Sequence, residues 1–186
     1  MIERDRAKAL GILHKHTESP ALRRHAYAVE AAMRWYAEKL GEDPELYGVV
    51  GLLHDFDYEE HTTIPEHPLE GEKILKAEGY PESVTEAIKS HASEMGIPRD
   101  TNLRKVLFAV DELCGFVMAA ALVLPSKSLA DLTVESVRKK MKRKEFARAV
   151  KREDIIEGAE QLGLPLEEHI GNVIQALQSI RTTLDP

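Results

Sequence analysis

Apolar residues recur at intervals of three and four along most of the chain, the spacing of helices that bury one face. Leu22 and Val29 mark one such stripe, Leu46 and Val50 a second, Val84 and Ile88 a third, and Leu107 and Cys114 a fourth. The punctuation agrees with that spacing. Ser19-Pro20 reads as an N-cap followed by proline at the first helical position, with Gly41 as the stop, and Asp43-Pro44 repeats the start signal. The helix begun there is expected to run to about His54. Phe56 to Glu66 reads as a loop, His67 to Lys76 as a helix stopped at Gly79, and Pro81 opens another ending near His91. Ile97 to Thr101 is a connector. Asn102 to about Leu124 is the longest helix, ended by Pro125. Ser126 to Pro186 also reads as helices, the last two separated by Gly163 and Pro165. The expectation is an all-α helical bundle: a core over 1–125 and a C-terminal helical cap over 126–186, together one compact unit.

Composition strengthens the helical reading, because Ala, Leu, Glu, Lys and Arg dominate while aromatics are only 5%. The formal charge of −7 argues against bulk attraction to nucleic acid. The one cysteine, Cys114, cannot form an internal disulfide and sits on an apolar stripe, so it reads as an inert buried thiol. Met1 to Arg6 is charged and lacks the apolar segment of a signal peptide. Phe116 to Leu124, the longest apolar stretch, falls well short of the roughly 20 residues that span a bilayer. A cytoplasmic protein without membrane contact is expected.

Several ionisable residues fall where a core residue belongs. His25 continues the stripe of Leu22 and Val29, His54 that of Leu46 and Val50, and His91 that of Val84 and Ile88. Asp111 lies between Leu107 and Cys114, and Asp55 directly follows His54 at a helix end. A buried aspartate is costly unless paired or bound to metal. Each residue could find its own hydrogen-bond partner, or one divalent cation could satisfy them together, since imidazole and carboxylate suit Mn, Fe, Co, Ni or Zn. Spacing alone leaves both open.

Gly51-Leu52-Leu53-His54-Asp55 resembles the signature of the HD superfamily, an apolar helix ending in a His-Asp doublet. His25, His54-Asp55 and Asp111 match that superfamily's ordered H…HD…D set over about Leu22 to Ala120. His67 and His91 stand where members with two metals add histidines. The resemblance implies an HD-type helical bundle with a metal-binding core. His25, His54, Asp55 and Asp111 would hold one ion, His67 and His91 the second, and Asp55 would bridge. The full order is similar to that of bacterial dinuclear hydrolases, including dinucleoside-tetraphosphate hydrolases. Cyclic-di-GMP phosphodiesterases fit poorly, because their Gly-Tyr-Pro follows the second added histidine, whereas Gly79-Tyr80-Pro81 precedes His91.

The activity so implied is hydrolysis of a nucleotide or other small phosphate ester by a metal-activated hydroxide, with one or two ions. Asp57 and Glu59 follow the doublet closely enough to serve as catalytic groups, Asp57 as proton shuttle; Glu60 fits a solvated acidic loop. An acidic protein that handles phosphate needs a local positive patch. The run Arg138 to Lys144, with Lys127 upstream, offers one, and Lys127, Lys139, Lys140 and Lys142 are the expected substrate-binding residues. The other reading of the run is a solvated helix face. Trp35 and Tyr36 read as core or rim residues. Two rival functions use the same ligands: an HD-type di-iron oxygenase, and a non-catalytic binding module braced by metal.

Overall fold

A computed structural model describes residues 1–185. The described residues form ten α-helices and no strand, joined by short 3-10 turns. The helices are α1 (Arg6–His16), α2 (Pro20–Leu40), α3 (Pro44–Leu53), α4 (Glu66–Ala77), α5 (Glu82–Lys89), α6 (Asn102–Leu122), α7 (Val134–Met141), α8 (Arg152–Gln161), α9 (Leu166–Ser179) and α10 (Arg181–Leu184). The all-α expectation holds. No helix among the described residues is long and apolar enough to cross a membrane.

The start signals act as read. The Ser19 hydroxyl accepts from the Leu22 N–H at the head of α2, and Asp43 accepts from the Glu45 and Leu46 N–H groups at the head of α3. These contacts satisfy amides that the first helical turn leaves unpaired. Two 21-residue helices, α2 and α6, form the spine. α3 packs along α2, and α8 and α9 pack on α6 and α2. One continuous apolar cluster runs from Leu13 and Val29 through Leu53 and Val110 to Ile155, Ile170 and Val173.

The C-terminal helices approach the spine closely. A Cβ on Gly158 would stand 2.6 Å from the Ala109 Cα, so α8 can lie this near α6 only with glycine there. On α9, His169 is fully buried between its Nε2–H, which donates to the Ala109 carbonyl at 2.8 Å, and the Tyr36 hydroxyl, 2.6 Å from Nδ1. Tyr36 is thus a core residue. Cys114 is buried too, and burial pushes its thiol well up, consistent with an inert group.

Candidate metal centre

Five elements converge on one cleft of about 440 Å³. His25 comes from the first turns of α2 and Asp111 from the middle of α6. His54 caps α3, and Asp55 sits in the turn after it. His67 lies where the backbone kinks at the entry to α4. His91 sits just past the end of α5 rather than in its last turn.

The side chains fall into two groups that share Asp55: His25, His54, Asp55 and Asp111, and Asp55, His67 and His91. Within each group, ligand atoms all lie within 4.8 Å of one another. His25 Nε2 is 3.0 Å from Asp111 Oδ1. His54 Nε2 is 3.4 Å from that same oxygen and 3.5 Å from Asp55 Oδ2. Asp55 Oδ1 lies 3.2 Å from His67 Nε2 and 3.3 Å from His91 Nε2.

The ring orientations test whether a cation fits. His54 Nδ1–H donates to the Gly51 carbonyl at 2.8 Å, and His91 Nδ1–H donates to the Ile88 carbonyl at 2.6 Å. His67 Nδ1–H donates to Asp57 Oδ1 at 2.8 Å. Each Nε2 is therefore left to face the cluster. His54 Nε2 is buried without a hydrogen-bond partner, and the Nε2 atoms of His67 and His91 stand 3.2 Å apart. Two lone pairs at that distance repel unless a proton or a cation lies between them. Imidazoles fixed through Nδ1, aimed at carboxylates, are the usual donor set for a first-row divalent ion.

Electrostatics agree. Burial disfavours charge on Asp55 and Asp111, but the facing His54 outweighs it and holds both carboxyls well below the usual carboxylate range. Burial likewise opposes charge on His67, yet Asp55 and Asp57 raise it to about 9. Proton and metal therefore compete for the same nitrogens. Beside Asp111, burial first and then that neighbouring carboxylate push Glu112 up to about 7.

Asp57 does not line the cleft. It lies behind His67, almost fully buried, with Oδ2 accepting the Gly71 N–H at 2.9 Å, so it faces the back of the His67 ring rather than the cleft. A Cβ on Gly71 would come within 2.7 Å of the Asp57 carboxyl carbon, so only glycine admits that carboxylate. Glu59 turns away to accept the Glu18 and Ser19 N–H groups at 2.7 and 3.0 Å, fixing the entry to α2. Glu60 is exposed, within 3.4 Å of His16.

The basic run does not reach the cleft lining. Lys139 pairs with Glu135 one helical turn away, Lys140 donates to the Ser136 hydroxyl, and Lys142 is exposed after α7. Arg138 pairs with Glu167. Lys127 borders a separate groove with Leu122, Leu184 and Asp185. The cation in the cleft lining is Lys151, beside Glu94, Glu112 and Asp154, and none of these four was singled out in the sequence.

Comparison with known proteins gives one result for this arrangement: the family model described as HD domain matches residues 22–116, just over half of the chain. No curated protein and no solved structure matches it.

Proposed function

The chain belongs to the HD domain family, typically metal-dependent hydrolases, and from that premise we propose that it hydrolyses a small phosphate ester, a nucleotide among the candidates. The observation that carries this reading is the pair of ligand groups sharing Asp55 on the floor of an open cleft. His25, His54, Asp55 and Asp111 would hold one divalent transition metal ion, and Asp55, His67 and His91 a second. Bound there, the ions would supply Lewis-acid polarisation of a phosphoryl oxygen and activation of water near neutral pH.

The chain's own residues supply order and shelter. The Gly51 and Ile88 carbonyls and the Asp57 carboxylate hold three imidazoles in the tautomer that presents Nε2. Tyr58, Ile64, Ala149 and Val150 give the cleft lining apolar surface for the organic part of an ester. Its volume suits a small molecule.

The test is a panel of phosphomonoesters and phosphodiesters assayed with added Mn or Co. Phosphate release that chelator abolishes is the expected result. A metal-loaded protein that holds iron and consumes dioxygen without releasing phosphate would replace this reading with an oxygenase. Metal binding without either activity would leave a braced binding module.

A further inference from the structure

Between α7 and α8 the chain runs as an irregular strap, residues 142–151, whose last three residues, Ala149, Val150 and Lys151, line the cleft. The strap is well anchored. Phe146 packs edge-on against the Phe116 ring with centroids 5.3 Å apart. The Arg152 guanidinium lies over that same ring and donates to the carbonyls of Ala147, Val150 and Phe146. At the end of the strap, the Lys151 backbone N–H donates to Glu112 Oε2 at 3.3 Å, tying the strap to the helix that carries Asp111.

Lys151 is thus held at the mouth of the cleft on a fixed backbone, while its side chain stays about half exposed. Its ammonium stands 3.1 Å from Glu94, which also lines the cleft and is about half exposed as well. An ion pair with that exposure is weak, typically within about 1 kcal/mol. A phosphate bound to the floor would offer a competing dianion to the same ammonium. Both partners would make charge-assisted bonds, but phosphate carries about −1.5 to −2 charge and three acceptor oxygens against the single charge of the carboxylate. No other lysine or arginine is available from the described cleft lining.

We propose that Lys151 is the phosphate-receiving cation of this site, and that Glu94 is the carboxylate from which the substrate's phosphate displaces it. This rests on the hydrolase reading and deepens it: the substrate must carry a phosphate whose free oxygens point out from the floor toward the strap. Glu94 then acts as a competing ligand for Lys151, so the two residues have opposite effects on affinity even though they form one ion pair.

That opposition gives the test. Binding of inorganic phosphate to Mn-loaded protein is measured by calorimetry for the wild type, Lys151→Ala, Lys151→Arg and Glu94→Gln, with metal content and melting temperature recorded for each. Lys151→Ala should weaken phosphate roughly 10- to 100-fold, the share of a hydrogen bond to a charged group. Lys151→Arg should restore part of the loss. Glu94→Gln should leave affinity unchanged or tighten it by up to about fivefold, as release of a weak ion pair allows. Metal content should not change.

If Lys151→Ala binds phosphate as the wild type does, or if Glu94→Gln weakens phosphate in parallel with Lys151→Ala, the pair merely pins the strap and the proposal falls. The phosphoester panel is scored separately. Hydrolysis with an inert Lys151 would sink only this inference. Phosphate weakened by Lys151→Ala, with no ester hydrolysed by the wild type, would sink only the hydrolase reading.

Discussion

His54 and His169 are both fully buried, and both reach α6, one at Asp111 and the other two residues earlier at Ala109. Their surroundings differ in kind. Each ring nitrogen of His169 has a partner, the Tyr36 hydroxyl or the Ala109 carbonyl, and burial holds the imidazole neutral with its pKa lowered to about 4. His54 has a partner only at Nδ1, while Nε2 faces two carboxylates without a hydrogen bond. A buried polar group left unmatched is costly, and this one sits in a group of His and Asp side chains close enough to share a cation. His169 is structural because its account closes within the chain. The account of His54 does not close, and its open nitrogen faces the other members of a group that could hold a metal.

The largest effect expected from this contrast is on metal content. His54→Ala combined with Asp55→Ala should abolish bound transition metal in protein purified without chelator, whereas His169→Leu should retain it. Equal metal in the wild type and the double variant, read by elemental analysis, would break the comparison at its root.

Stability should separate the two histidines next. The folded pKa of His169 lies below the 6.5 of an unperturbed histidine. Between those values the unfolded chain binds a proton that the folded chain does not. Its contribution is therefore complete above about pH 6.5 and fades as pH falls toward 4, by roughly 3 kcal/mol. Denaturant unfolding of the wild type should show that acid loss. His169→Leu should start roughly 1–3 kcal/mol less stable at pH 7, with the Tyr36 hydroxyl deprived of its acceptor, and should lack this share of the pH dependence. A parallel pH profile in both proteins would mean that His169 is not held neutral.

The smallest effect concerns Asp57, which supports one imidazole. Asp57→Asn should weaken metal at the position of His67 and His91 by roughly 10- to 100-fold and leave the other position filled. Metal titration should then resolve one tight and one weakened ion. Two unchanged ions would make Asp57 a packing residue.

Part of the centre was legible because His25 and Asp111 ride on regular helices, and His54 and His91 continue the stripe of one just past its end. His25, His91 and Asp111 each fall on an apolar stripe, and a period of 3.6 residues tells which way such side chains point. The acidic loop after the doublet has no period, so proximity in sequence could not show that Asp57 turns back to Gly71 and His67 while Glu59 turns toward Ser19. The cation of the cleft was missed for a related reason. The dense run from Arg138 draws the eye, but α7 ends at Met141, and the run's lysines bond back within their own helix or point to solvent. Lys151 lies beyond that run, next to Arg152, and only the path of the strap brings it to the cleft.

The close seat of Gly158 against Ala109, and the bond from His169 to the same residue, also set an order of assembly. All six candidate ligands are present once the chain has been made as far as Asp111. The two residues that fix the ligand helix at Ala109 come much later, at 158 and 169. A growing chain therefore owns every donor before it owns the frame that aligns them. The alignment of Asp111 would then depend on the docking of α8 and α9, both of which follow it in the chain.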